Sequence, residues 1–296
     1  GLTLNSGTLL VGHTNALGTG SLSFNGGVLT ANGTTSVSLN NALNLSGLSG
    51  SLTFGDFVNT GTLAFSGRGQ LLSDATLNTL VATTFSGTLS GAQALTKTGS
   101  ATLTLASVNN YSGDTVLNAG KLLLATNGAV SSLSNIVVNS GELELGSTSQ
   151  NVATVTLNSG TLSGGSLTGT SYLANSGSIS SALSGSGTFT KATNGLVTLT
   201  GSNTLSGSLN ISAGTLALAG TSVLLSSNNA TLTLSGTTAL LELGNTTQTV
   251  NSLKLSAGTI QNGTLIAGSF AVESGRPSPA LSGSADLTKS TSGTVI

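Results

Sequence analysis

Apolar and small polar residues alternate along most of this chain. Ala101-Thr102-Leu103-Thr104-Leu105 and Ala230-Thr231-Leu232-Thr233-Leu234 are clear stretches of it. Alternation with a period of two, carried by aliphatic and β-branched residues, predicts strands with one face buried. No window repeats its apolar residues at i, i+3 and i+4 with caps at its ends, so almost no helix is expected. The strands are punctuated by a six-residue pattern of aliphatic or Phe, Asn or Ser, any residue, Gly, any residue, aliphatic. It reads Leu4-Asn5-Ser6-Gly7-Thr8-Leu9, Phe24-Asn25-Gly26-Gly27-Val28-Leu29 and Val58-Asn59-Thr60-Gly61-Thr62-Leu63. It returns around Asn118 and Gly120, Asn139 and Gly141, Asn158 and Gly160, Ser212 and Gly214, and Ser256 and Gly258. Each is a strand, a tight turn and another strand. Gly takes a positive φ without a Cβ penalty, and Asn tolerates it best among the other residues.

The spacing of these turns decides the architecture. Asn5 to Asn25 is 20 residues, Asn118 to Asn139 is 21, and Asn139 to Asn158 is 19. A period in this range marks a repeat protein whose coils stack on one another. The expected fold is therefore all-β: a single-stranded parallel β-solenoid of about 15 coils, each of roughly 19–22 residues. A longer period overlies the short one. Residues 95–125 align without a gap to 189–219 at an offset of 94, and 142–177 align to 240–275 at an offset of 98. In these alignments Lys97 meets Lys191, Asn109 meets Asn203, and Gln150 meets Gln248. The segment before the Lys recurs as 89–97, 183–191 and 281–289. One continuous solenoid over 1–296 is expected, with units of roughly 1–94, 95–188 and 189–286, and a further unit beginning at 287–296.

Composition narrows the class. Gly is 42 of 296 residues and charged residues are 5%, which alone would suit a flexible linker. But hydrophobic residues are 37% and net charge is -1, whereas disordered chains are apolar-poor and highly charged. Cys is absent, so neither a disulfide framework nor thiol chemistry is available. Seven basic residues leave no footprint for nucleic acid. No apolar run reaches the length of a membrane-spanning helix, so no membrane insertion is expected of this segment. The start, GLTLNSGTLL, lacks the basic region of a signal peptide. Both ends cut through a repeat. The expectation is association end to end, or continuation in a longer chain, because an uncapped coil leaves an open sheet edge.

Residues 95–125, LTKTGSATLTLASVNNYSGDTVLNAGKLLLA, strongly resemble the autotransporter-associated β-strand repeat, also called the passenger-associated transport repeat. Leu95, Lys97, Gly99, Leu103, Leu105, Asn109, Tyr111, Ser112, Gly113, Thr115, Asn118, Gly120 and Leu122 carry the match. The copy at 189–219 departs from it at Thr193, Leu205 and Ser212. The resemblance implies a right-handed parallel β-helix that crosses the outer membrane of a Gram-negative bacterium and is displayed at the outer cell surface or released. It implies no catalytic residues.

The candidates for chemistry are few. His13 is the sole histidine, which excludes a two-histidine metal site and leaves a turn residue as its reading. Glu142 and Glu144 share one face of a strand, at a separation that could serve a glycosidase. The aligned copy has Leu240 and Glu242, and no basic cluster lies near the pair in sequence, so a solvated pair is the expectation. Lys97, Lys191 and Lys289 occupy one position in three copies; they are expected at an exposed strand edge or corner, discouraging wrong lateral pairing. Asp56, Asp74, Asp114 and Asp286 are scattered, and the calcium-binding nonapeptide is missing. No catalytic, cofactor-binding or metal residue is expected, and no cofactor. The residues singled out are structural turns: Asn5, Gly7, Asn25, Gly27, Asn118, Gly120, Asn139, Gly141, Asn158, Gly160, Gly214 and Gly258.

Three functions fit this pattern. The first is a non-enzymatic extracellular stalk or fibre. The second is an adhesin, in which a polar ladder or a loop such as 66–75, with Arg68 and Asp74, binds a glycan or protein of a host or biofilm. The third, a polysaccharide-cleaving β-helix, needs a carboxylate cluster that the sequence lacks.

Overall fold

A computed structural model describes residues 1–46, 50–219, 230–278, 280–283 and 286–296. Among them there is no helix, and every strand pairing is parallel. The fold is a parallel β-solenoid of about 14 turns, close to the number expected from the repeat spacing. The chain divides into two compact units, Gly1–Ala153 and Thr154–Ile296.

In the first unit each coil supplies a strand to successive sheets. One sheet holds Thr8–Val11, Gly27–Ala31, Leu52–Phe54, Ala75–Thr79, Leu95–Thr98, Thr115–Leu117 and Ile136–Val138. A second runs from Val37–Leu39 through Leu63–Phe65, Thr83–Phe85, Thr102–Leu105 and Lys121–Leu124 to Glu142–Glu144. The third side is a shorter sheet of Leu2–Leu4, Leu22–Phe24, Leu43–Leu45, Gly69–Leu71 and Leu89–Ser90. Register keeps inward positions over inward positions: Leu103 lies beside Thr83 on one side and Leu122 on the other, and Leu105 lies between Phe85 and Leu124. A one-residue slip would turn every buried side chain outward, so the alternating pattern fixes this register.

The strands form where they do because inward positions are mostly aliphatic and outward ones are mostly Ser, Thr or Asn. Leu77, Leu103, Leu105, Leu122 and Leu124 are all buried. Each such leucine contributes roughly 1.5–3 kcal/mol by leaving water. In the early coils Phe54 packs edge-on to Phe24 and Phe65, with ring centroids 5.4 Å apart in both cases, and Phe65 stacks on Phe85 at 5.0 Å.

The second unit repeats the plan. Thr154–Leu157, Ser171–Ala174, Thr188–Lys191, Leu209–Ile211, Thr231–Leu234, Ser252–Leu255, Phe270–Val272 and Leu287–Thr288 form one sheet. Another holds Thr161–Ser163, Gly177–Ile179, Leu196–Leu199, Thr215–Leu218, Leu240–Glu242, Thr259–Gln261 and Arg276–Pro277. The third side is split between Ser166–Thr168, Ala182–Gly185 and Thr204–Leu205 on one hand, and Thr247–Val250, Thr264–Ala267 and Ala280–Ser282 on the other.

The Asn/Ser-x-Gly segments sit between strands of neighbouring sheets. Gly7, Gly27, Gly120, Gly141, Gly160, Gly214 and Gly258 all have φ between +67° and +96°, whereas Gly61, expected to share this turn, does not have a positive φ and the exposed Val58 before it is not in a strand. Their Asn side chains bond coil to coil: Asn25 Nδ2 donates to Asn5 Oδ1, Asn139 Nδ2 to Asn118 Oδ1 and Asn175 Nδ2 to Asn158 Oδ1, each at 2.7 Å.

Candidate functional site

The repeated lysine is not where its charge suggests. Lys97 is 1% exposed and Lys191 is fully buried, so neither stands on an open edge. The strand Leu95–Thr98 directs Leu95 and Lys97 inward, and the lysine stem lies in the core while its ammonium turns back to the turn that follows. Lys97 Nζ donates to the carbonyl oxygens of Thr98 at 2.7 Å, Gly99 at 2.8 Å and Ala119 at 3.1 Å. Lys191 Nζ donates to Thr193 O and, at 3.2 Å, to Ala213 O. The exposed Lys289 Nζ makes the same kind of bond to Thr291 O. A buried charge persists only when paired or solvated by dipoles, and a tight turn followed by the next coil's turn supplies a nest of carbonyls. Burial pushes Lys97 down to about 8 from its ordinary 10.5, and lowers Lys191 as well.

Buried amides form a second device. Asn109 Oδ1 accepts from Leu89 N at 2.7 Å and its Nδ2 donates to Ala129 O at 2.7 Å. Gln150 Nε2 donates to Thr126 O at 2.7 Å, and its Oε1 accepts from Val130 N at 3.4 Å. These two side chains replace β-ladder bonds on either side of 126–134, where the third side of the first unit has turns in place of a strand. In the second unit Asn203 Oδ1 accepts from Leu183 N at 2.9 Å. The alignment of the copies pairs Asn109 with Asn203 and Gln150 with Gln248, but by itself gives neither pair a role. The signal that marks them is an amide at a position where alternation calls for an aliphatic side chain.

The interrupted sheet leaves a trough on the first unit. It comprises two adjoining hollows of about 500 Å³ and about 410 Å³ that meet at Asn110. Val108, Asn127, Ser132 and Asn151 line the first, and Arg68, Thr88 and Ser90 the second.

The glutamate pair is not a free carboxylate couple. Glu142 and Glu144 face outward on one strand, and Lys121, one coil back in register with Glu142, bridges both, at 3.5 Å from Glu142. This lysine is distant in sequence, which is why the pair looks isolated there. The hydrogen bond that Lys121 donates to Glu144, together with the charges of Glu142 and Glu144, raises the lysine above its ordinary value against an opposing effect of burial. The aligned Glu242 binds amides instead: Gln261 Nε2 at 2.6 Å, Asn262 Nδ2 at 2.5 Å and the backbone N–H of Gly244 at 3.2 Å. Burial raises its carboxyl, but those three donors outweigh it and hold the group below the usual carboxylate range.

The remaining polar candidates have local duties. His13 is an exposed turn residue whose Nδ1 accepts from Asn15 N at 3.1 Å. Asp56 caps the backbone N–H groups of Val58 and Asn59 and the side chain of Asn59. No cluster of three or more His, Asp or Glu suited to a metal occurs among the described residues. Among them, too, no helix is long and apolar enough to cross a membrane.

The profile of the passenger-associated-transport-repeat matches residues 95–124 and 189–218. The chain is also similar to the adhesin BmaC autotransporter of Brucella suis biovar 1 (strain 1330), at 32% identity over 178 residues. That alignment covers 54% of this chain and 5% of the adhesin, so this chain spans a small fraction of its relative. No solved structure matches it. Both similarities point to the cell surface or the extracellular space. The lysine nest, the buried asparagine and the Asn-x-Gly turn of residues 95–124, with their counterparts in 189–218, lie within the two stretches that resemble the passenger-associated transport repeat.

Proposed function

We propose that this chain is a non-enzymatic segment of an autotransporter-type passenger, whose coils hold an adhesive surface away from a Gram-negative cell. The observation that carries the reading is the coincidence of two passenger repeats with similarity to an autotransporter adhesin along the same chain. The chemistry of the surface supports it. The pair of carboxylates with the spacing of a hydrolase is bridged by Lys121, which favours the ionised form of both, whereas hydrolysis needs one carboxyl kept protonated and one free. Stacked coils can serve such a segment without any chemistry of their own.

Beads coated with the purified chain test this. They should attach to epithelial monolayers or to biofilm matrix above an albumin control, and soluble chain should compete. Absence of attachment to every surface would reject the adhesive role and leave a shaft alone. Release of reducing ends from a polysaccharide, lost on Glu144→Gln, would reject the non-enzymatic role.

A further inference from the structure

We infer that the trough of the first unit, from Arg68 to Asn151, binds an acidic oligosaccharide lying along the stacking direction. This rests on the adhesive reading and names its ligand class. The floor is built: Asn109, which lines the first hollow, is buried with its amide committed to the backbone, as is the amide of the neighbouring buried Gln150. The walls carry groups with no side-chain hydrogen bond among the described residues, namely the guanidinium of Arg68, the amides of Asn110 and Asn151 and the hydroxyl of Ser132. Amides and hydroxyls match sugar hydroxyls, and a planar guanidinium matches a carboxylate or sulfate in bidentate fashion. Among the described residues Arg68 is the only charged one lining either hollow, so no acidic side chain of that lining opposes an anionic ligand. Val108, 62% exposed beside Asn110, offers an apolar contact for a sugar face.

The length fits as well. Gln70 pairs with Ser90, Asn110 N donates to Leu89 O, and Val130 is joined to both neighbours through Asn109, Ala129 and Gln150. The trough therefore crosses the coils of residues 70, 90, 110, 130 and 150, which is roughly 19 Å at about 4.8 Å per coil. A linear glycan presents hydroxyls at a comparable repeat.

A peptide is the weaker occupant for a structural reason. Extended peptides bind by adding a strand to open backbone donors and acceptors. Here Asn109 already occupies Leu89 N and Ala129 O, and Gln150 occupies Val130 N and Thr126 O. Among the described residues no aromatic one lines the hollows to anchor a side chain.

Calorimetric titration of the full chain with a pentagalacturonate and a heparin pentasaccharide, with maltopentaose as the neutral control, tests this. Binding of at least one acidic probe is expected, tenfold or more weaker in Arg68→Gln and in Asn110→Leu, and unchanged in Lys254→Gln, an exposed cation of the second unit. Circular dichroism and melting of each variant should match the parent, since all three side chains are exposed. No binding of either acidic probe overturns the inference, and so does equal loss in Lys254→Gln, which would mean unspecific charge. Bead attachment separates the two readings. Attachment that survives Arg68→Gln and Asn110→Leu, with no sugar bound, sinks the trough and leaves the adhesin. Sugar binding without attachment sinks the adhesin and leaves the trough. Attachment lost in both variants yet insensitive to glycosidase treatment of the cells makes the partner a protein and overturns the glycan.

Discussion

The ammonium of Lys97 lies 3.1 Å from the carbonyl oxygen of Ala119, one coil further along the chain. A side chain that begins on one coil thus closes the turn of the next, and Lys191 repeats the contact with Ala213 at 3.2 Å. The repeat's lysine is in this sense a buried stitch between successive turns, with its own turn carbonyls completing the nest.

Removing the stitch should loosen both turns it joins. In Lys97→Met the hydrophobic stem is kept and the ammonium is lost, leaving the oxygens of Thr98, Gly99 and Ala119 without that donor. An orphaned buried acceptor costs about 1–3 kcal/mol, partly offset because a charge no longer has to be desolvated. A net loss on the order of 1–3 kcal/mol is expected from that balance, seen as faster amide exchange over residues 95–124. Exchange rates equal to the parent would show that the ammonium bonds contribute nothing.

The same burial gives stability an unusual alkaline profile. Burial holds Lys97 at about 8 in the folded chain against an ordinary 10.5, so between those values the unfolded chain binds more protons and stability should rise with pH. Burial raises the hydroxyls of Tyr111 and Tyr172 to about 12 from 10.0, against weaker opposing hydrogen bonds. Between those two values the folded chain keeps protons that the unfolded chain loses, so there stability should fall. Urea midpoints measured from about pH 7 to about pH 12 should pass through a maximum; Lys97→Met should flatten the rise and Tyr111→Phe should soften the fall. A monotonic decline from about pH 8 in the parent would contradict the lysine assignment.

The alternating pattern and the turn spacing made the strands, their parallel stacking and the approximate coil number legible. The corner chemistry was less so. A lysine next to a turn reads as exposed because charge is costly inside, and only three-dimensional closure of one coil on the next creates the carbonyl nest that offsets that cost. Lys121 and Glu144 were equally hidden, being neighbours only across a coil. The trough was unreadable for a related reason: it arises where 126–134 leaves the third sheet, and nothing in local alternation says that Asn109 and Gln150 carry the missing ladder. Arg68 stands out within 66–75, but that stretch is not the expected loop: Gly69–Leu71 is a strand of the third sheet, and the company of Arg68 with Asn110 depends on stacking.

Two glycines separate backbone strain from crowding. Gly7 has φ +77° with open space where a Cβ would stand. Gly141 has φ +86°, and a Cβ there would run into the Gly120 carbonyl oxygen of the preceding coil. Gly7→Ala should therefore cost only the left-handed backbone penalty, roughly 1–2 kcal/mol. Gly141→Ala should add overpacking of about 1–3 kcal/mol and push the two coils apart. Thermal melts of both variants would check the order; equal losses would mean that the stacked turns yield freely.

Asn109 tests whether a side chain can stand in for a sheet. It is 5% exposed, with its carbonyl and amide ends bonded to Leu89 N and Ala129 O. Asn109→Leu is nearly the same size but offers neither bond, so two buried backbone groups lose their partners, at about 1–3 kcal/mol each. Asn109→Asp keeps the acceptor for Leu89 N but turns the donor to Ala129 O into a second acceptor, setting two oxygens against each other. Both variants should loosen 126–134, with limited proteolysis appearing there before it appears at Thr8–Val11, which lies far from this bond in the sheet order. The leucine variant should be at least as damaging as the aspartate at neutral pH if the Leu89 N bond dominates, and less damaging if repulsion at Ala129 O dominates. Acid reads out the difference, because protonating the introduced carboxyl restores a donor. An Asn109→Asp chain that regains protease resistance as pH falls, while Asn109→Leu does not, would assign the ladder role to this amide. Parent-like resistance in both variants would show that the coil holds without it.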